Sequence, residues 1–410
     1  MFESKMEISV NDLRHLLSER ADEGETMVLN MGPQHPSTHG VLRLILELDG
    51  EVIVRCIPDI GFLHTGIEKN MEVKRYEQAL VMTDRMDYLN NLGNNLCYCL
   101  AVEKLVDLDV PPRAQVIRVL LAELQRIASH LIFLASHGLD LGAQSVFLYC
   151  FREREVILDL FEMISGARMM TSYIRPGGVW RDLPAGFEAA VRQFLDGFER
   201  RLDQYHALLT KNPLYLQRTK GISAITPEDA LDIGLTGPLL RATGMPYDLR
   251  KAMPYSAYDQ FEFEVPVGTT GDVFDRYMVR MAEIRESVKI IEQALARIPS
   301  GPFRSSNRKF VPPPRSELGR SMEAVIHHFK LWTEGYSAPG GSVFVAVESP
   351  RGELGCFLEG DGSPKPYRVH FRTPSFAAVQ ALPHMAPGHL VADLVAIISS
   401  LDPILGDVDR

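Results

Sequence analysis

Cysteine is scarce here and badly placed for metal or disulfide chemistry. The 410-residue chain has five cysteines, Cys56, Cys97, Cys99, Cys150 and Cys356, and no Cys-x-x-Cys. A scattered, odd-numbered set suits free thiols in a reducing compartment. Cys97 and Cys99 stand two apart on a segment read as helical, so they point to different faces and do not grip one metal. An iron–sulfur cluster needs four suitably spaced thiolates, which this chain does not supply. Basic charge is lacking too. A net charge of −10 excludes the basic surplus of a nucleic-acid binder and polybasic attachment to an anionic membrane. No apolar run approaches the roughly 18 residues that a bilayer span needs. The start carries Glu3, Glu7, Asp12, Glu19, Asp22, Glu23 and Glu25, which fits neither a secretory signal nor a transit peptide. The expected location is the cytoplasmic side of a membrane or its equivalent.

What is present is an ordinary globular composition, 46% hydrophobic and 23% charged, at a length that buries a large core. One segment stands out. Met31 to Gly40 reads Met-Gly-Pro-Gln-His-Pro-Ser-Thr-His-Gly. Gly32, Pro33, Pro36 and Gly40 forbid a continuous helix or central strand. Irregular loops of this kind carry function more often than packing. A zinc pair at His35 and His39 would need a helix, an intervening Glu and a third ligand, so no metal site is expected. Two readings stay open: an acid–base site, since imidazole titrates near neutral pH, or turn histidines bonding the local backbone.

Leu42, Leu44, Leu46 and Leu48 alternate with Arg43, Ile45 and Glu47; Asp49-Gly50 follows, then Val52, Val54 and Cys56. This predicts a β-hairpin. Helical patterns run from about Asp84 to Val110, from Pro111-Pro112 to near His137-Gly138, and over Ser145–Ile164, Phe187–Leu209 and Val273–Leu295. Ser300 to Pro314 is an extended connector, and Met322 to Thr333 a further helix. The tail returns to β at Val343–Val347, Gly355–Leu358 and Tyr367–Phe371. A last helix over Val391–Ser399 leads into Asp402-Pro403 and the terminus. The fold class expected is α+β: a central bundle of long helices with small antiparallel β regions from the N- and C-terminal parts, the two pairing into a sheet beside the bundle. The segments are 1–26 (acidic extension), 27–75 (β region with the histidine loop), 76–300 (bundle), 301–340 (connector and helix) and 341–410 (β region, terminal helix and tail).

Other groups attract attention. Asp84-Arg85-Met86-Asp87-Tyr88 opens a helical pattern, where acids have an ordinary dipole explanation and Tyr88 is either core or a phenol donor. Asp140 sits between Leu139 and Leu141, so it is either paired, shifted in pKa, or a helix cap. Arg351 lies between Pro350 and Gly352 at a strand junction, unlike the solvated majority of arginines such as Arg168 and Arg175.

In this order, Gly32–Gly40, Gly61-Phe-Leu-His-Thr-Gly66, Arg85-Met-Asp-Tyr88, Leu139-Asp-Leu-Gly-Ala143, Phe151-Arg-Glu-Arg-Glu155, Tyr173-Ile-Arg-Pro-Gly-Gly178 and Asp407-Val-Asp-Arg410 resemble the 49-kDa-type quinone-site subunits of respiratory complex I, from about Met27 to Arg410. That family is related to the large subunit of nickel–iron hydrogenases, whose metal is held by two Cys-x-x-Cys pairs. Asp87 and Asn90, then Ile404 and Asp407, stand where those thiolates would be, so the soft ligands are gone.

The resemblance implies a proton-pumping NADH:quinone oxidoreductase with a quinone headgroup in the emptied cavity. It implies His39 and Tyr88 as headgroup ligands and Asp140 as the acid paired with His39. Gly32, Pro33, His35, Pro36, Ser37, Thr38 and Gly40 form the pocket loop, and Arg85, Arg351 and Met170 lie near a [4Fe–4S] cluster held by a neighbouring B-type protein. Further implied partners are C-type and I-type peripheral-arm proteins and an H-type membrane protein, with attachment to the bacterial inner membrane through them. Many relatives carry a histidine where Met170 stands, which implies a weaker pH dependence of the cluster here. Rival readings are a ferredoxin-fed relative, a metal-binding hydrogenase-type subunit, and a scaffold without a catalytic role.

Overall fold

The computed structural model describes residues 26–410. The acidic extension over 1–26 therefore lies, except for Thr26, outside the described residues. Long helices form the centre: α1 (Asn91–Val106), α2 (Pro112–Asp140), α3 (Gln144–Ser165), α4 (Val273–Arg297) and, after a surface helix α5 (Met322–Thr333) that buries only Ala324, α6 (Val391–Leu401). The apolar stripe read in the sequence explains α2: Leu120, Leu124, Ile127, Leu131 and Leu134 are all buried, and α3, α4 and α6 pack around it. By length and apolar content α2 passes as a membrane-crossing helix, but 83% of that stretch is buried in the protein. It is a core helix.

The predicted hairpin is present as β2 (Arg43–Asp49) and β3 (Val52–Asp59), and β1 (Met27–Met31) adds an unforeseen third strand on β2. The C-terminal strands are β4 (Gly341–Ser349), β5 (Gly352–Gly360) and β6 (Arg368–Arg372), also antiparallel in sequence order. The expected joint sheet does not form. Each terminal region closes its own three-stranded sheet, because each has its own apolar partner: β1–β3 with α6 and Leu235–Leu240, β4–β6 with α1 and the bundle.

Three helix limits differ from the periodicity. The helix predicted from Asp84 starts only at Asn91. Asn94 Nδ2 donates to the Thr83 and Asp87 carbonyls (both 3.0 Å), and Asp87 Oδ1 accepts from Leu89 N (3.0 Å). Those side chains satisfy the backbone groups of 83–90 in a non-helical path. The chain over 187–209 is broken at Asp196 into Phe187–Leu195 and Phe198–Tyr205. Conversely α2 continues through Gly138 to Asp140.

Candidate functional site

The histidine loop is held by its own hydrogen bonds. Pro36–Thr38 makes a single 3-10 turn, and buried Thr38 donates through Oγ1 to the carbonyls of His35 (3.0 Å) and Pro33 (3.2 Å). Gly32 has φ +87, and a Cβ there would stand 2.2 Å from the Leu42 carbonyl oxygen, so glycine is required. The Gly32–Pro33 bond is cis. The two open readings divide between the two histidines. His35 Nδ1 accepts from the Ser37 amide (3.2 Å), which makes it a turn histidine. His39 closes the turn at φ +55, a conformation that costs a non-glycine residue about 1–3 kcal/mol. His39 is solvent-exposed, yet the protein around it lowers its pKa by desolvation, with Asp402 raising it and Arg351 lowering it further.

Those two charges belong to a buried cluster. Arg351, at the β4–β5 turn, donates through Nη1 to Asp87 Oδ2 (2.7 Å) and Ser129 Oγ (3.0 Å), and through Nε to the Asp402 carbonyl (3.0 Å). Its Nη2 lies 3.3 Å from Asp402 Oδ2. Tyr88 stands beside the same groups, 38% exposed. Burial raises its phenol pKa, against Arg351, which lowers it; Asp87 and Asp402 raise it further. Tyr88 therefore keeps its proton at neutral pH.

The carboxyl terminus completes the cluster. Arg276 Nη1 donates to Ser400 Oγ (2.6 Å), Arg280 Nη1 to the Ser400 carbonyl (2.8 Å), and His137 Nδ1 lies 2.7 Å from Ser399 Oγ. Two guanidiniums thus meet the negative end of α6 and fix Asp402, which follows at φ +53. Gly406 rests on the Arg85–Met86 backbone: a Cβ there would lie 2.5 Å from the Met86 carbonyl oxygen. This close approach sets Asp407 beside Asp87. Burial and the Asp87 charge push the Asp407 carboxyl up to about 7, while Ser375 N donates to it (3.2 Å). The Gly61–Gly66 motif anchors the last turn: Gly61 N and Leu63 N donate to the Asp409 carboxylate (2.9 and 2.7 Å), and Arg410 Nε reaches Glu68 Oε1 (3.1 Å).

The remaining expected site residues fall elsewhere. Asp140 is half-buried at the end of α2, and burial pushes its carboxyl up to about 6. Among the described residues it makes no hydrogen bond or ion pair with His39; the charges felt at His39 are Asp402 and Arg351. Arg351 bonds Asp87 and Asp402, and its charge acts on His39 and Tyr88. Arg85 is exposed, bonding the Val81 carbonyl (2.7 Å), 3.9 Å from Asp84. Asp84 in turn accepts from Ser172, two residues beyond half-buried Met170. The five cysteines are buried and free, with Cys97 facing the Leu354 carbonyl and Cys99 the Ile174 carbonyl. No group of three or more His, Cys, Asp or Glu side chains has metal-binding geometry among the described residues. Asp402 was overlooked as a site residue. Its sequence signal is an acid followed by proline directly after a mostly apolar helix.

A phenol and an imidazole share the electrostatic surroundings of one buried guanidinium–carboxylate cluster. The chain belongs to the respiratory-chain NADH dehydrogenase 49-kDa subunit family, whose model matches residues 140–410. It is 65% identical over 393 residues to the D 2 subunit of NADH-quinone oxidoreductase from Roseiflexus sp. (strain RS-1), covering 95% of this chain and 94% of that one. It is 63% identical to the D 2 subunit from Chloroflexus aurantiacus, covering 95% and 96%. Identity to the D-type subunit from Geotalea uraniireducens is 55%, covering 94% and 99%.

Proposed function

We propose that this chain, as a subunit of an NADH-quinone oxidoreductase, receives a quinone headgroup between Tyr88 and His39 and supplies its protons. The observation that carries this reading is that both residues face the same Arg351–Asp402 pair. Quinone reduction takes two electrons and two protons. The electrons come from a [4Fe–4S] cluster on a B-type neighbour; C-, I- and H-type neighbours complete the proposed setting on the inner membrane. Tyr88, protonated at neutral pH, donates to one carbonyl oxygen. His39, with its lowered pKa, is neutral at rest and donates through one ring nitrogen. As that proton leaves, the other nitrogen is reprotonated from the acids held near neutrality, Asp407 at about 7 or Asp140 at about 6. Pairing of His39 with Asp140 then requires a change of loop or side-chain conformation, and that shift of charge is the proposed trigger for coupling to proton pumping.

In the assembled enzyme, Tyr88→Phe and His39→Ala are each expected to lower NADH:quinone turnover about 10²-fold. NADH:ferricyanide activity, which draws electrons upstream, stays unchanged. Retained quinone turnover in both variants would leave only a scaffold role. The same reading predicts that the neighbouring cluster's midpoint potential depends only weakly on pH between about pH 6 and 8, since Met170 holds no proton. A redox titration with a full proton-linked slope counts against it.

A further inference from the structure

The acidic surplus of the chain is reversed at one place outside this site. A recess of about 650 Å³ lies between the segment around Trp180, the connector at 303–315 and the C-terminal end of α5. Its lining holds four arginines, Arg175, Arg181, Arg304 and Arg315, and one carboxylate, Asp182. That carboxylate is already paired, 2.8 Å from Arg113. Arg175 donates only to the Ser172 carbonyl (3.2 Å), and the other three have no carboxylate partner among the described residues. Three of the cations stack on aromatic rings. Arg175 and Arg181 lie over Trp180 at 5.2 and 4.1 Å, and Arg304 over Phe303 at 5.3 Å. Stacking on aromatic faces leaves the guanidinium edges free for bidentate pairing with carboxylates. Burial lowers the pKa of Arg175 and Arg304, so an arriving anion relieves an existing penalty.

Trp332, 62% exposed, closes the recess and begins a second feature. Along α5, Phe329, Ile326, Val325 and Met322 are 64%, 51%, 46% and 81% exposed. Their spacing puts an apolar stripe on the open side of this helix. A free phosphate or nucleotide would neutralise the arginines and leave that stripe bare. A polypeptide bearing carboxylates next to apolar side chains satisfies both at once, and tryptophan with arginine is the usual make-up of an interface centre.

We infer that the Trp180–Trp332 recess and the α5 stripe form one docking surface for an acidic, apolar-anchored segment of another subunit. The inference rests on the chain acting within a multisubunit enzyme. The test is a photo-crosslinking residue (p-benzoylphenylalanine) in place of Trp332 in the complex assembled in cells. The expected result is one adduct, on a different subunit, mapping to a segment with several Asp or Glu. An adduct to a second copy, to residues 1–25 of the same chain, to a segment without acids, or no adduct overturns it. Independently, Arg304→Glu with Arg315→Glu should lower the yield of assembled complex several-fold, and lysines at the crosslinked acids should restore it. Unchanged yield overturns the proposal. Quinone turnover per assembled complex should stay at the wild-type level, which separates failure here from failure of the Tyr88–His39 site.

Discussion

Arg351→Met is expected to lower the stability of the chain by about 3–5 kcal/mol and to abolish quinone turnover in whatever assembles. The guanidinium is buried and holds the side chains of Asp87, Ser129 and Asp402 together with the Asp402 carbonyl. Its removal leaves two buried carboxylates without their cation. A buried ion pair adds little net stability, but breaking one by removing a partner is costly, because the surviving charge has no water. Both acids then take up protons, and the electrostatic frame shared by Tyr88 and His39 is gone. Arg351→Lys is expected to recover only part of the loss, since one ammonium nitrogen does not reproduce four donations directed from three separate nitrogens. Two measurements check the argument. Thermal unfolding of Arg351→Met should move upward as pH falls, because protonation removes the unpaired charges. Adding Asp87→Asn to Arg351→Met should restore part of the stability. A variant as stable as wild type at neutral pH would show that water already reaches the cluster.

The Arg351 cluster also marks where sequence reasoning reaches its limit. Regular elements follow from local periodicity, and α2, α3, α4 and the β2–β3 hairpin were legible for that reason. The His39 loop was legible because glycine and proline punctuate it. Arg351 stood out through its turn setting, but its partners were invisible. Asp87 lies 264 positions away and Asp402 51, so no window joins them. The start of α1 was misread because Asn94 and Asp87 turn their side chains on the backbone, an effect that hydrophobic periodicity does not record. The separate sheets depend on which apolar surface each covers, a tertiary fact. The resemblance supplied Asp140 as the partner of His39, a pairing that no local pattern carries; in this conformation the charges acting on His39 are those of Asp402 and Arg351. The motif at Gly61 to Gly66 was recognised without a purpose, and its amides prove to hold the carboxyl terminus in place.

Asp407→Asn is expected to stabilise the chain at neutral pH and to leave it unchanged near pH 4. The folded-state carboxyl is raised from 3.8 to about 7 by burial and by Asp87. Below 3.8 both folded and unfolded states hold the proton, so burial carries no ionisation cost. Between about 4 and 7 the unfolded state releases the proton and the folded state retains it, so stability falls as pH rises. Above about 7 the folded state has ionised too, and the contribution stays lost. The interval corresponds to about 4 kcal/mol. Asparagine keeps the oxygen that accepts from Ser375 N and never ionises, so it removes the slope. The sign matters, because Glu123, pushed down to about 2 by Arg126 and Arg250 despite its burial, works in the opposite direction, losing its contribution as pH falls below about 4. The wild-type profile is thus a sum of opposed slopes, and only the difference between wild type and Asp407→Asn isolates this group. Denaturant unfolding at steps from pH 4 to 8 should show that difference growing to about pH 7 and then levelling. A difference independent of pH would mean that Asp407 is ionised throughout and that the proton of this carboxyl pair is held by Asp87 instead. The same pair of proteins tests function: if Asp407 restores protons to the site, quinone turnover in Asp407→Asn should fall mainly in the recovery step between turnovers, while ferricyanide reduction stays at the wild-type rate.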